Sequence, residues 1–173
     1  RFKVRLYGAE YYSNKKERTY RYYFFWEKNA KYPEYFNEVG DAVARRMKNC
    51  PLKSYDDVVS LFRAGAKGRQ GVKFRTRTGT KVYMPLPAIV DALNWDMDDL
   101  GLSVRVRYPG TGVSAEFLHL SAISEDVVPG ATVTVGAAFA RTGVSGKTKI
   151  PHLEYRLYKD GEKGKEWIDP FEF

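Results

Sequence analysis

Cysteine and histidine are scarce in this chain. Among 173 residues there is one cysteine, Cys50, and there are two histidines, His119 and His152. A single cysteine excludes an internal disulfide, and this alone does not decide the compartment. Histidine is the side chain best suited to proton transfer and metal binding near neutral pH. Any catalytic interpretation therefore has to start from these two residues.

Long apolar runs are also missing. None approaches the roughly 20 residues that a membrane-spanning helix needs. The hydrophobic content of 43% and the charged content of 29% are those of a folded, soluble protein. The length predicts one domain, or one domain with an appendage. The chain starts at Arg1 rather than at Met, which is compatible with removal of a signal peptide or anchor.

Acidic residues are fewer than basic ones. The chain contains 29 Lys and Arg and 21 Asp and Glu, which gives a net charge of +8. This excess favours solubility and a general attraction to polyanions. The polyanion could be nucleic acid, teichoic acid, anionic lipid or an acidic protein partner, and charge alone does not distinguish among them.

The first 66 residues indicate a small α+β appendage. Phe2, Val4 and Leu6 alternate with basic residues, and an aromatic run covers 19–26, which together predict a β-hairpin. Aromatic residues interleaved with Lys and Arg also occur on single-strand nucleic-acid platforms. A hairpin that packs on a sheet or partner is the favoured interpretation, because aromatic residues prefer strands in any case.

Two short helices are predicted after the hairpin. Pro33 suits a first helical turn, and apolar residues then recur at helical spacing until about Asn49. Ser54 can cap a second helix that Gly65 closes. We expect residues 1–66 to pack on the domain formed by residues 67–173.

From Gly68 onward the pattern is that of a mainly antiparallel sheet. The predicted strands cover 72–74, 81–84, 89–90, 103–108, 113–120, 133–140 and 153–158. Four acids near one turn could bind calcium, namely Asp91, Asp96, Asp98 and Asp99. The spacing lacks the glycine and the closing glutamate of an EF-hand, so a solvated turn is favoured.

Four motifs in the last third of the chain carry a family resemblance. They are Phe117-Leu118-His119-Leu120-Ser121, the hairpin 127–136, Gly143-Val144-Ser145-Gly146 followed by Pro151-His152-Leu153-Glu154-Tyr155, and Ile168-Asp169-Pro170. In this order they resemble the lysostaphin-like (LytM-type) zinc endopeptidases, which cut peptidoglycan cross-bridges. The resemblance covers about Gly68 to Pro170. It implies a β-sandwich or half-barrel with a groove that ends at His119 and His152, and it implies catalytic roles for both histidines.

The chain departs from this family at the zinc ligands. The family uses a His and an Asp from His-x-Gly-x-Asp and the second His of His-x-His. Arg69, Lys73 and Glu154 stand at the matching positions. Arginine has no lone pair for a metal, and lysine would first have to lose its proton. We therefore expect no metal, vestigial roles for His119 and His152, and an ion pair between Glu154 and Arg69 or Lys73.

The favoured hypothesis is a catalytically degenerate module of the cell envelope that binds a protein partner or a cell-wall peptide by strand addition. An alternative is an active zinc endopeptidase that has rebuilt its ligand set from His119, His152 and Glu154. A second alternative is a virion-associated or nucleic-acid-associated structural protein, which depends only on the basic charge and the aromatic hairpin.

Overall fold

A computed structural model of the chain describes residues 6–14, 16–25, 34–41, 43, 47–65, 70–162 and 164–173. These residues form thirteen strands and no helix, and none of them belongs to a helix long and apolar enough to cross a membrane. The chain divides into two compact units, Arg1–Arg46 and Met47–Phe173.

The first unit contains a three-stranded antiparallel sheet. Its strands are β1 (Gly8–Ser13), β2 (Arg18–Phe25) and β3 (Glu34–Phe36), in the order β1-β2-β3. The predicted hairpin is confirmed, because β1 pairs with β2 from Gly8 opposite Tyr23 to Ser13 opposite Arg18. The first two positions of the predicted alternation, Phe2 and Val4, lie outside the described residues.

Both predicted helices are wrong over the described residues, and in each case strand pairing replaces them. Residues 34–36 form β3, where Phe24 lies opposite Tyr35 with their ring centroids 5.3 Å apart. Asn37 then turns the chain, because its side-chain oxygen accepts hydrogen bonds from the backbone N–H groups of Val39 and Asp41. Tertiary pairing overrides a weak helical pattern. The α+β appendage is thereby corrected to β structure in its described part.

The second predicted helix, over 54–65, is replaced by β4 (Asp57–Ser60). β4 pairs with β5 (Gly71–Arg75), so it belongs to the second unit. Two adjacent valines at its centre favour an extended backbone because their branched side chains restrict χ1 in a helix.

The second unit is a mainly antiparallel sheet, as the sequence predicts. Its remaining strands are β6 (Lys81–Tyr83), β7 (Ala88–Leu93), β8 (Leu102–Tyr108), β9 (Val113–Ile123), β10 (Thr132–Val133), β11 (Ala138–Thr142), β12 (His152–Gly161) and β13 (Gly164–Ile168). The main path runs β10-β7-β8-β9-β12-β5-β4. Off this path, β11 pairs with β6 and β9, and β13 pairs with β12.

Two strand boundaries differ from the prediction. The strand expected over 133–140 is split, because Gly136 adopts a φ of 78° between β10 and β11. The turn expected at 159–161 comes later, since β12 continues to Gly161 and returns as β13. The left-handed φ at Gly136 suits glycine, which lacks the Cβ that would clash there.

The core of the second unit lies against the central strands β8, β9, β12 and β5. Their buried apolar side chains include Val72, Phe74, Val104, Val106, Phe117, Leu153, Tyr155 and Leu157, each at most 1% exposed. Burying a side chain of this size stabilises the fold by about 1.5–3 kcal/mol. The core therefore fixes the registers of β5, β12 and β9, the strands that carry the residues discussed next.

Candidate functional site

The two histidines meet at neighbouring parts of the sheet. His119 lies on β9 and His152 begins β12, and these strands pair. Their ring centroids are 4.7 Å apart, and each residue is only 4% exposed. The structure thus brings together the pair that the sequence motifs single out.

His119 is held in an uncommon backbone conformation. Its φ is 62°, in the left-handed region that non-glycine residues seldom adopt. Its backbone N–H donates to the carbonyl of Leu100 at 3.0 Å, and its ring Nδ1 lies 2.9 Å from the carbonyl oxygen of Ser145. A carbonyl only accepts, so Nδ1 donates to it. Strain of this kind persists only where the surrounding contacts impose it.

The Ser145 turn is itself fixed. The Ser145 hydroxyl donates to the carbonyl of Leu120 at 2.7 Å and accepts the backbone N–H of Leu102 at 2.9 Å. Gly101 packs so closely against this turn that a side chain at that position would collide with Ser145. The turn therefore orients the His119 ring through rigid backbone contacts.

His152 is oriented in a similar way. Its Nδ1 lies 2.7 Å from the carbonyl oxygen of Ile150 and donates to it. Its Nε2 is buried and has no hydrogen-bond partner among the described residues. Burial lowers the pKa of the His152 imidazole, which favours the neutral ring. A lone pair on Nε2 therefore faces the interior of the site.

Glu154 forms the centre of the site. It is 5% exposed, and its Oε2 lies 2.8 Å from Nζ of Lys73 and 3.4 Å from Nε2 of His119. Its Oε1 accepts a 2.7 Å hydrogen bond from Nε of Arg156. The predicted pairing with Lys73 is confirmed, since these two residues are register partners on β12 and β5. Arg69, the other predicted partner, lies outside the described residues.

These contacts set the protonation of Glu154. Burial by itself would raise its pKa, but the hydrogen bond with His119 and the charges of Arg156 and Lys73 outweigh burial. Together they hold the pKa of this carboxyl well below its usual range. Glu154 is therefore a buried carboxylate compensated by two cations.

The lowered pKa predicts how stability depends on pH. The unfolded chain takes up a proton at Glu154 near the ordinary pKa of 4.5, whereas the folded chain resists it. The stabilisation is complete above that pH and is lost, at up to about 1.4 kcal/mol per pH unit, as the pH falls further. Urea unfolding between pH 2.5 and 7 measures this slope. In Glu154→Gln the slope below pH 4.5 should become shallower, and an unchanged slope would contradict the assignment.

A second buried carboxylate extends the network, and the sequence analysis missed it. Glu116 on β9 is 2% exposed, and its Oε1 lies 2.5 Å from Nζ of Lys165 and 3.1 Å from an Nη of Arg105. Its Oε2 lies 3.8 Å from an Nη of Arg156. A signal for this network was present in the sequence, namely charged residues within otherwise apolar strands. Alternate positions of a strand share one face, so such residues can be expected to lie together on one side of the sheet.

We name this network the charged floor. It consists of Lys73, Glu154, Arg156, Glu116, Arg105 and Lys165. Arg156, Glu116 and Arg105 are direct register partners across β12, β9 and β8. At one end of the floor is a cavity of about 460 Å³, lined by Val59, Ser60, Gln70, Gly71, Lys73, Glu154 and Arg156.

The acidic turn near Asp96 is occupied by local contacts. Asp96 accepts the backbone N–H of Asp99 through its side chain, and its carbonyl accepts from Leu100 and Gly101. Asp91 lies on β7 and pairs with Arg107. The side chains of Asp91 and Asp96 therefore already have partners within the chain, which favours the solvated turn over a calcium site.

The donor set can be tested for zinc. One ligand atom each from His119, His152 and Glu154 lies within 4.8 Å of the others, and two histidines with a glutamate are a known zinc set. However, both oxygens of Glu154 already face cations, Lys73 and Arg156. A dication placed there would have to displace the Lys73 ammonium at 2.8 Å. In this arrangement the residues do not fit a resident zinc ion.

The second unit is thus an antiparallel sheet that presents two oriented histidines beside a buried carboxylate. Residues 67–170 match Peptidase family M23, and the chain belongs to this family. The resemblance to lysostaphin-like enzymes noted in the sequence is thereby confirmed.

Similar proteins agree with this assignment. An uncharacterized metalloprotease of Haemophilus influenzae is 28% identical over 135 residues, which cover 73% of this chain but only 28% of that protein. The catalytic domain of the prophage-encoded M23 protein EnpA of Enterococcus faecalis, solved as a mutant, is 24% identical over 70% of this chain and 95% of that chain, with a TM-score of 0.58. The catalytic domain of the antimicrobial peptidase lysostaphin of Staphylococcus simulans is 20% identical over 68% of this chain and 89% of that chain, with a TM-score of 0.55. These structures support the fold.

Proposed function

We propose that this chain is a non-catalytic M23 domain that binds an extended peptide, contributed by a protein partner or by the cell wall. The observation that carries the proposal is the double engagement of Glu154 by Lys73 and Arg156. Where the family resemblance implies metal ligands, the chain has a carboxylate neutralised by its own side chains.

The chemistry of the site supports binding rather than hydrolysis. Peptide hydrolysis of this type needs a metal to lower the pKa of a water and generate the nucleophile. His119 and His152 are oriented by backbone carbonyls, and the carboxylate beside them is engaged by Lys73 and Arg156. A lysine ammonium cannot coordinate water as a Lewis acid does. The two histidines are therefore vestigial in this proposal.

The edge strand β4 offers a surface that can hold a peptide. β4 stands at the end of the main strand order and pairs with β5 alone among the described strands. Ser60 of this edge strand lies opposite Lys73, and both line the cavity beside the charged floor. An edge strand can pair with an extended peptide through main-chain hydrogen bonds. Family membership favours a location in the cell envelope for this activity.

Metal content provides the direct test. Protein purified without chelators or a histidine tag, and then equilibrated with zinc, should retain less than about a tenth of an equivalent, because two of the three family ligand positions carry cations. Elemental mass spectrometry measures this ratio. The same protein should sediment with purified peptidoglycan sacculi, or capture a partner from envelope extract, without releasing peptides from the sacculi. Stoichiometric zinc with release of peptides would overturn the proposal.

A zinc endopeptidase with a rebuilt ligand set is the second candidate. The unpartnered Nε2 of His152 and its closeness to His119 and Glu154 favour it. This candidate requires Lys73 to release Glu154 when the metal enters. It predicts about one equivalent of zinc that is lost in His152→Ala, together with hydrolysis that depends on that metal.

A further inference from the structure

The charged floor contains more cations than carboxylates. Lys73, Arg105, Arg156 and Lys165 face only Glu116 and Glu154 within this network. The two carboxylate side chains are 2% and 6% exposed, whereas the four cations are 16% to 39% exposed. Within this network the carboxylates are thus covered and the cations are the more exposed groups. Asp160 on β12 is exposed and lies opposite Lys165, so the positive excess is clearest at the end of the floor that carries Lys73.

Aromatic rings hold these cations in place. Nζ of Lys165 lies 4.1 Å from the ring centroid of Tyr158 and 5.4 Å from that of Trp167. The guanidinium of Arg105 lies 4.2 Å from the ring centroid of Trp95. Cations stacked on rings lose part of their freedom before any ligand arrives, so binding an anion costs less ordering entropy.

The excess of positive charge adjoins the edge strand. Lys73 has a side chain that is 39% exposed and lines the cavity together with Ser60, Gln70 and Arg156. Lys73 also lies opposite Ser60 of β4, whose outer edge can accept a backbone. An extended chain added at β4 would place alternate side chains over this end of the floor.

The geometry points to an extended peptide bearing carboxylate side chains as the ligand of the charged floor. This inference rests on the proposed peptide-binding function and names the chemistry of the ligand. Carboxylates complement the cations that line this cavity, Lys73 and Arg156, and lysine and arginine bind them through charge-assisted hydrogen bonds. Main-chain pairing at β4 distinguishes such a peptide from a polyanion without a peptide backbone.

The test compares matched peptides by fluorescence anisotropy. A fluorescein-labelled peptide of alternating Gly and Glu, seven residues long, should bind at least about tenfold more tightly than the same peptide with Gln in place of Glu. Lys73→Met and Lys73→Gln should each reduce binding of the acidic peptide about tenfold, and neither should alter binding of the Gln peptide to that extent. Lys81→Met, at an exposed lysine on β6, is the matched control and should bind normally.

The outcomes separate this inference from the proposed function. Equal binding of the two peptides would overturn the preference for carboxylates and leave peptide binding intact. Binding of neither peptide would overturn the inference, while retention on sacculi would still support the broader proposal. Polyphosphate could also displace the acidic peptide as well as unlabelled acidic peptide does, with equal effect in the parent chain and in Lys73→Met. That result would show a general attraction to negative charge and would also overturn the inference. Circular dichroism on each variant establishes that a loss of binding reflects the site and not unfolding, and Lys73→Gln supplies the answer if Lys73→Met does not fold.

Discussion

A chain carrying Arg69→His, Lys73→Asp and Glu154→His together is expected to bind about one equivalent of zinc, whereas we expect the parent chain to retain less than about a tenth of an equivalent. Lys73 and Glu154 face each other across β5 and β12 with their charged atoms 2.8 Å apart. Side chains with lone pairs at these two positions would therefore meet within reach of one ion. The substitutions also remove the ammonium that occupies the site.

Isothermal titration with zinc and a thermal melt measure the result. Zinc at one hundred times its dissociation constant should stabilise the triple variant by about 2.7 kcal/mol, because the metal binds only the folded site. A variant with the same substitutions at exposed positions, Arg63→His, Lys81→Asp and Glu166→His, is the matched control and should show neither effect. A triple variant that folds but takes up no zinc would refute the alignment of these positions with the ligands of the family.

Much of the fold could be predicted from the sequence, and so could the histidine pair. The strands of residues 68–173 show the alternation of half-buried or buried sheet, and His119 and His152 fall in motifs with fixed spacing. The pairing of Glu154 with Lys73 was also predictable, because opposite charges stand at two positions that the family resemblance assigns to the ligands of one site.

The remaining features depend on tertiary register, which local pattern does not contain. Arg156 reaches Glu116 because β12 pairs with β9 and places these two residues opposite one another. No spacing along the chain reveals this arrangement. The predicted helices failed for the same reason: Tyr35 and Val58 have partners in β2 and β5 that a one-dimensional periodicity cannot show.

The orientation of the histidines does not depend on a metal. Backbone carbonyls of Ser145 and Ile150 fix both rings, and the strained φ of His119 is maintained by contacts to Leu100 and to the Ser145 turn. Both rings are therefore held by backbone contacts that need no metal ligand. On the proposed function, this would let an M23 domain bind a peptide without hydrolysing it and keep its fold.

The largest expected effect on stability is that of Glu154→Gln, which should lower the free energy of unfolding by about 3 kcal/mol. The substitution keeps the shape of the side chain but removes the charge that compensates Lys73 and Arg156. Arg156, whose side chain is 16% exposed, has less access to water than Lys73 at 39%, so most of the cost arises at Arg156. A thermal melt should show a decrease of about 10 °C.

A double-mutant cycle identifies the source of this effect. Glu154→Gln combined with Lys73→Met should cost less than the sum of the two single changes, because Lys73→Met removes one of the two cations that Glu154→Gln leaves unpaired. Glu166→Gln, at an exposed carboxylate on β13, should change stability by less than about 0.5 kcal/mol. An unchanged melting temperature in Glu154→Gln would mean that the buried carboxylate and its two cations contribute nothing to the fold. Side chains of the chain itself would then not be stabilising substitutes for a metal.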